Sequence, residues 1–459
     1  MKYLTVDFGS TYTKLTAIDA ENRTIMGTAS AFTTIDTDII NGYNTALLKL
    51  EQTIGKNHFD QILCCSSAGG GLKMVALGLV PELTAKAAKM AVSSAGAKVI
   101  KTYSFEISSA EEKEILGIRP DLVLLCGGTD GGNKEVIIAN AGRLKNIPAD
   151  FSIIVAGNKC ASDEIEEIFK DSGKDFIITD NVMPVFNKLN IEPAKQSIRE
   201  LFIKKIIEAK GLSGVQAMAS NEVIPTPLAV MSACELLSKG METAKGIGDF
   251  MAVDLGGATT DVYSMADGKP QMENILEKGL PEPFSKRTVE GDLGMRYSLN
   301  SMAESIDFDS LEKQSGIIKN TILDWISQCN KNPDTIAMNA EESIIEELLA
   351  RSAVEIAVER HCGILESSYS PMGEIFTLTG KDLTGIPYII GIGGAIINSS
   401  NPSFILGGAK YNPGKYNYMK PREPEYLLDK KYIFASMGLL AKADPDLALD
   451  IMKKEIIKI

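Results

Sequence analysis

The sequence predicts an α/β protein of two lobes, and three observations predict it. Two short turns of glycine and hydroxyl residues lie about half a chain apart, each between apolar runs. Between them, apolar strands alternate with amphipathic helices, the order of a mainly parallel sheet covered on both faces. No low-complexity linker interrupts the 459 residues, a length that allows two or more domains with separate cores. The first lobe is expected over residues 1–247, with an α/β elaboration over about 70–215, and the second over 248–459. Their boundary falls near Gly246-Ile247-Gly248.

The first turn, Asp7-Phe8-Gly9-Ser10-Thr11-Tyr12-Thr13-Lys14, follows Tyr3-Leu4-Thr5-Val6 and precedes an apolar run from Leu15 to Ile18. The second, Asp254-Leu255-Gly256-Gly257-Ala258-Thr259-Thr260-Asp261, follows Phe250-Met251-Ala252-Val253 and precedes Val262-Tyr263. Strand, tight turn and strand make a hairpin that aims several backbone N–H groups at one point, which suits a polyphosphate. An aspartate opening each turn suits a hydrated Mg²⁺, a hard cation that takes oxygen ligands and keeps its waters. Two such hairpins could grip one nucleotide from both sides. As a residue opening an exposed turn, Asp7 is expected to contribute little to stability.

The remaining elements follow in order. A helix is expected over 44–53 and a strand over 61–65, then a glycine-rich stretch, Ser66-Ser67-Ala68-Gly69-Gly70-Gly71, leading into a helix over 81–95. Strands are expected at 98–103, 122–126, 152–156 and 176–179, with helices at 110–116, 134–144, 163–170 and 194–209. The run Gly127-Gly128-Thr129-Asp130-Gly131-Gly132-Asn133 sits at the carboxyl end of its strand, where α/β sheets gather ligands; it reads equally as a strand-to-helix turn. A helix over 226–239 precedes the second hairpin, and helices over roughly 286–300, 306–328 and 340–368 follow it. Then come an apolar strand at 388–391, a loop over 410–425 and a closing helix from Phe434. In Ile389-Ile390-Gly391-Ile392-Gly393-Gly394-Ala395-Ile396 the bare glycines admit a flat ring and ribose, or a helix packed tightly on a strand. Small residues in Pro225-Thr226-Pro227-Leu228-Ala229-Val230 and Ala435-Ser436-Met437-Gly438-Leu439-Leu440 would let two helices cross closely and hinge.

Composition narrows the function class. Apolar (44%) and charged (23%) contents are those of an ordinary globular protein. With 47 basic against 60 acidic residues, the net charge of −13 argues against a general DNA- or RNA-binding surface. No apolar stretch reaches the ~20 residues that span a bilayer. Asp7 stands where a signal peptide needs apolar residues, so a cytoplasmic location is expected. Seven cysteines include no C-x-x-C pair, which suggests buried or free thiols in a reducing compartment, with Cys64-Cys65 as buried sheet. Only His58 and His361 are available for a zinc site or a Ser-His-Asp triad, and His361 reads as a satisfied helical residue.

Phosphate turn, connecting helix, second phosphate turn, adenosine glycines and second connecting helix, in that order, resemble the actin, heat-shock chaperone and sugar-kinase superfamily. The resemblance implies a two-lobed actin-like ATPase with ribonuclease-H-like lobes. Asp7 and Asp254 would then hold Mg²⁺ through water, as metal and catalytic residues. Gly9, Ser10 and Thr11 would bind the β/γ phosphates of ATP, as would Gly256, Gly257, Ala258 and Thr259, while Gly393 and Gly394 would face adenosine. Lys14 stands where sugar kinases often carry a lysine; it is a phosphate contact or an exposed strand residue.

Several segments narrow the match, namely Cys65 to Met74, Gly78 to Ala85, Leu125 to Asn133, Arg287 to Arg296 and Glu359-Arg360-His361-Cys362-Gly363. They are similar to the glutamate mutase (methylaspartate mutase) accessory protein family of the GlmL/MutL type, over essentially the full length. A DNA-repair ATPase shares that family name by accident, and its early helical Asn-bearing motif and D-x-G-x-G are absent here. The resemblance implies an ATP-dependent reactivating chaperone that releases damaged cobalamin from an adenosylcobalamin-dependent amino acid mutase. Its cofactors would be ATP and Mg²⁺ and its partners the mutase subunits, with homo-oligomerisation compatible.

Departures qualify the implied chemistry. Heat-shock chaperones carry an acid before the Pro-Thr of the first connecting helix; here Ile224 stands there, with Glu222 the nearest acid. Slow or differently based hydrolysis is expected, with Asp130, Asp180 and Asp261 as candidate substitutes that also read as loop or turn residues. Neither histidine sits in a D-x-H-x-x-G cobalamin motif. A small-molecule kinase on the same fold is the alternative, but the G-x-D-x-G base motif it needs is missing between the turns. A filament-forming actin relative is a third reading, disfavoured by the long elaboration.

Overall fold

Burial explains the first sheet. Every residue but the first of β1 (Lys2–Phe8) is buried, as a strand is only when its sheet is covered on both faces. On one side β2 (Tyr12–Asp19) and β3 (Thr24–Phe32) follow antiparallel; on the other β4 (Gln61–Ser66) runs parallel. The helix Ile39–Ile54 starts on its cap Asp38 and buries Ile39, Tyr43, Ala46 and Leu50, spaced to form one face. This computed structural model describes all residues except 35–37, 68–71, 210–212, 273 and 371–372, so positions 68–71 of the expected glycine-rich stretch lie outside the described residues.

A second sheet follows directly. It comprises β5 (Lys73–Gly78), β6 (Lys98–Ser104), β7 (Leu122–Leu125), β8 (Ser152–Val155) and β9 (Phe176–Ile178), all parallel, in the order β6-β5-β7-β8-β9. The expected strands and helices of this region are found, with one addition. Strand β5 lies in the stretch that the sequence marks only as glycine-rich and leading into a helix; its Met74, Val75, Ala76 and Leu77 are fully buried. A central parallel strand shows no polar alternation, so its apolar run beside glycines carries no strand periodicity. The following helix opens with a π turn over Pro81–Ala85 and continues as Lys86–Ser94. Strand β10 (Ile224–Pro225) then pairs with β4 and completes the first sheet as β10-β4-β1-β2-β3. The chain separates into two compact units; the first holds Met1–Ser232, Gly279–Pro281 and Gly438–Ala443.

The second unit holds Ala233–Lys278, Glu282–Met437 and Asp444–Ile459. Its strands are β11 (Phe250–Leu255), β12 (Thr260–Met265), β13 (Ile275–Lys278), β14 (Ser285–Glu290), β15 (Ile364–Ser370), β16 (Gly373–Thr379), β17 (Tyr388–Ile392), β18 (Glu425–Leu428) and β19 (Ile457–Lys458). The main sheet is ordered β14-β12-β11-β17-β18-β19, and β13, β16 and β15 form a small sheet of their own. Here too the first strand has antiparallel neighbours in sequence on one side and parallel returning strands on the other. Both main sheets therefore share one strand order and orientation, third-second-first-fourth-fifth, which is ribonuclease-H-like. Two such sheets in one chain make the actin-like ATPase fold.

The helix Ala340–His361, capped by Asn339, packs its buried Ile345, Leu349, Val354 and Val358 against this sheet. Three expected helices need correction. Residues 285–290 form β14 instead of starting a helix, because Val262-Tyr263 of β12 needs a partner on that side. The helix read over 306–328 breaks at Gly316, whose φ of +72° ends Phe308–Ser315 before Lys319–Lys331 begins. The last stops at His361, and β15 takes residues 364–368.

Helices Thr226–Lys239 and Phe434–Ala443 approach as the small residues implied: a Cβ on Gly438 would lie 1.7 Å from the Ala229 carbonyl oxygen. Gly438→Ala should lower unfolding stability by about 1–3 kcal/mol. Gly142→Ala, inside Glu135–Asn146 with nothing within 4 Å, should be neutral or stabilising by about 0.5–1 kcal/mol. Urea titration of the pair checks both signs.

Candidate functional site

The first turn is held from behind. Gly9 N–H donates to Tyr12 O at 3.1 Å, and a Cβ on Gly9 would stand 2.5 Å from that oxygen. Thr33, just past β3, donates its hydroxyl to Gly9 O (2.8 Å) and its N–H to Thr11 O (2.9 Å). The carbonyls of Gly9 and Thr11 are thus consumed inside the unit. The N–H groups of exposed Ser10 and half-buried Thr11 have no acceptor among the described residues.

Asp7 corrects the expectation of an exposed turn carboxylate: it is only 4% exposed. Thr226 Oγ1 donates to its Oδ1 at 2.6 Å, and Cys65 Sγ donates to the same oxygen at 3.5 Å. Lys14, opposite Asp7 in the β1–β2 register, brings Nζ to 3.8 Å from Oδ2. Lys14 is therefore half-buried and paired with Asp7, rather than simply an exposed strand residue. Cys65 is buried; desolvation first, and the Asp7 charge second, push its thiol well above the ordinary cysteine range, so it stays a donor.

The second turn repeats the solution. Gly256 N–H donates to Thr259 O at 2.9 Å. The segment after β14 then takes the turn's carbonyls: Met295 N–H donates to Gly256 O (3.1 Å), Arg296 and Tyr297 N–H to Gly257 O (2.8 and 2.9 Å), and Ser298 Oγ to Ala258 O (2.7 Å). Gly294 permits this approach, since a Cβ there would sit 2.4 Å from the Ala258 carbonyl carbon. The N–H groups of Gly257, Ala258 and Thr259 have no acceptor among the described residues. Half-buried Asp254, one residue before the end of β11, lies beside Gly393, whose φ is +90°. A Cβ on Gly393 would stand 2.7 Å from Asp254 Oδ1 and 2.4 Å from Leu255 O, so its bareness is required by the chain itself. Gly394 is more open, its nearest neighbour being Asn398 Nδ2 at 3.8 Å.

Among the described residues no group of three or more His, Cys, Asp or Glu side chains gathers to hold a metal. Single carboxylates beside acceptor-free N–H groups fit a cation that keeps its waters and shares phosphate oxygens. Neither are the candidate substitutes idle. Asp261 pairs with Arg287, whose Nε donates to Oδ1 at 2.7 Å, and both are buried. Asp130 accepts from Lys159 N–H and Asn181 Nδ2, and Asn158 donates to Gly132 O and Asn133 O, so the Gly127 to Asn133 run is a braced strand-to-helix turn. Asp180 and Glu222 are exposed, and Ile224 is buried in β10 opposite Cys65.

The sequence model of the MutL protein family matches residues 3–456. Protein MutL of Clostridium tetanomorphum is 48% identical over 462 residues, covering 100% of this chain and 99% of that protein. The chain belongs to the MutL protein family. Among solved structures, the activator of the 2-hydroxyisocaproyl-CoA dehydratase from Clostridium difficile, with bound ADPNP, matches at 10% identity, covering 100% of this chain and 99% of that chain, with a TM-score of 0.32. Ligand-bound xylulose kinase from Lactobacillus acidophilus matches at 11% identity over 100% of this chain and 92% of that chain, with a TM-score of 0.35.

Residues that sequence reasoning missed in this MutL-family chain are partners rather than ligands: Thr33, Cys65 and Thr226 around the first turn, Arg287 and the 291–298 segment around the second. Arg287 to Arg296 stood out as family-like, yet nothing local assigns its carbonyl-binding role. His361 is the satisfied helical residue expected, buried with its ring nitrogens 2.8 Å from Thr288 Oγ1 and Ser264 Oγ. Burial, then the charges of Lys286 and Lys381, hold its pKa well below the ordinary value. Lys381, 1% exposed, donates to Ala266 O and Phe284 O at 2.7 Å; burial, then the Lys286 charge, lower its pKa to about 7. Among the described residues no helix is long and apolar enough to cross a membrane.

Removing one partner of the Asp261–Arg287 pair leaves a buried unpaired charge. Asp261→Ala should cost about 3–5 kcal/mol by chemical denaturation. A loss no larger than that from breaking the exposed Lys101–Glu114 pair would show the ion pair to be solvated.

Proposed function

We propose that this chain is an ATP-dependent reactivating chaperone, which releases damaged cobalamin from an adenosylcobalamin-dependent amino acid mutase, glutamate mutase first, in the cytoplasm. The observation that carries the nucleotide part is the repeated turn. In each main sheet an aspartate stands one residue before the end of the first strand, carbonyls of the turn are tied back, and the N–H groups of Ser10 and Thr11, and of Gly257, Ala258 and Thr259, have no acceptor among the described residues. Membership of the MutL family, with the family-like segments along the chain, supports the mutase part.

In this reading each turn offers its N–H groups to the phosphates of Mg²⁺-ATP. Ser10 and Thr11 N–H groups, with Gly9 making the turn, hold β/γ phosphate oxygens; Gly257, Ala258 and Thr259 do the same from the second turn, with Gly256 making it. Asp7 and Asp254 hold Mg²⁺ through its waters, and Lys14 stands ready to move from Asp7 to phosphate. Bound Mg²⁺ supplies charge neutralisation on the phosphates, which is most of what phosphoryl transfer requires. Gly394, with Gly393 beside it, receives the nucleoside. No acid occupies the place before Pro225-Thr226, and the other candidates are engaged or exposed, so hydrolysis is slow and stimulated by the partner. Binding drives release because the two nucleotide states favour different partner conformations; affinity that does not differ between states moves nothing.

The test is recovery of activity by cobalamin-inactivated glutamate mutase with this chain, ATP and Mg²⁺. Released cobalamin and partner-stimulated phosphate are the expected results. Phosphorylation of a metabolite with no mutase present would replace this reading by the kinase one. Asp7→Asn, which keeps an acceptor for Thr226, should weaken Mg²⁺-ATP binding about 10–100-fold and abolish recovery while circular dichroism stays unchanged. Full rescue by that variant would remove Asp7 from the metal site.

A further inference from the structure

One carboxylate oxygen of Asp7 is committed before any nucleotide arrives. Its Oδ1 accepts from Thr226 Oγ1 at 2.6 Å and from Cys65 Sγ at 3.5 Å, and the two donors lie 3.7 Å apart. Among the described residues its Oδ2 faces Lys14 Nζ at 3.8 Å, beyond hydrogen-bond length. Three adjacent elements deliver this arrangement. Asp7 and Cys65 are register partners in β1 and β4, Ile224 of β10 is the partner of Cys65, and the helix Thr226–Lys239 begins at the next turn of chain. The backbone of Asp7 is fixed by strands on both sides, so the carboxylate's remaining freedom is rotation of its plane, a soft sp³–sp² torsion.

We infer that Thr226 is a positioning residue: its hydroxyl locks the Asp7 carboxylate plane so that the second oxygen is presented for metal-bound water. The inference rests on the reading of Asp7 as a Mg²⁺-ATP residue. Without the hydroxyl, the plane turns and the Lys14 ammonium can capture either oxygen, so charge that should meet the cation is neutralised beforehand. The thiol alone does not replace the hydroxyl, because at 3.5 Å it is a weak donor. Thr226 also heads the helix inside which the chain leaves the first unit, after Ser232. A change in what Asp7 binds is therefore registered at the first residue of that helix.

The experiment measures equilibrium binding of ATP to the full chain, with excess EDTA and across a Mg²⁺ titration. Thr226→Val, which keeps the shape and removes the donor, should raise the Mg²⁺ concentration for half-maximal binding about tenfold while metal-free ATP affinity holds. Thr226→Ser should restore the wild-type Mg²⁺ dependence. Should the valine variant fail to fold, Thr226→Ala removes the same donor without adding bulk and gives the same reading. Equal loss of metal-free and Mg²⁺-dependent binding, or failure of serine to rescue, would assign Thr226 a packing role and overturn the inference. Wild-type Mg²⁺ dependence in the valine variant would overturn it alone. Absence of Mg²⁺-dependent binding in the wild-type chain would overturn it together with the reading beneath it.

Discussion

Every backbone carbonyl taken out of water needs a donor, and how the two glycine turns meet that demand sets their character. In the first, Thr33 supplies both donors from the end of β3. In the second, residues 295–298 supply them from just beyond β14. Strands β3 and β14 hold the same place in their sheets, third in order from the start of each. The same topological position thus braces each turn from the carbonyl side and leaves N–H groups as the polar face still unused. A hairpin that satisfied its own N–H groups would be an ordinary surface turn.

The aspartates that open the turns live in different surroundings. Asp7 is enclosed by two neutral donors and a lysine, whereas Asp254 is half-buried against the backbone of a glycine with positive φ. Near the second turn the formal ion pair belongs to Asp261 and Arg287 instead. That pair joins β12 to β14, the two strands whose ends carry the turn and its brace. Its electrostatics act on the position of the turn, and a carboxylate so engaged is unavailable as a base for water.

Much of this was legible in the sequence because it is local. A strand, glycine and hydroxyl residues, and a second strand are contiguous, so both hairpins could be read at sight. Amphipathic helices such as Thr226–Lys239 and parallel strands such as Ser152–Val155 carry their own periodicity or apolar run. What escaped depends on contacts distant in sequence. Asp7 meets Thr226 across 219 positions, and only the return of β10 beside β4 makes them neighbours. Strand β5 escaped because burial on both faces erases alternation, and β14 because its partner, β12, rather than its own residues, selects extended chain. Gly393 was readable as a glycine needing close approach, but not that the approaching groups are the Leu255 backbone and the Asp254 carboxylate.

The Lys381–His361 core of the second unit has an acid–base consequence. Both side chains shed protons on folding that the open chain would keep, His361 because it is buried against two cations and Lys381 because its pKa falls from 10.5 to about 7. From about pH 7 up to the lysine's ordinary range, the contribution of Lys381 to stability climbs with pH, by up to about 1.4 kcal/mol per unit. Below the histidine's ordinary 6.5 its buried ring draws stability down further as acid is added. These two side chains therefore release protons as the unit folds, and mild alkalinity favours what they contribute.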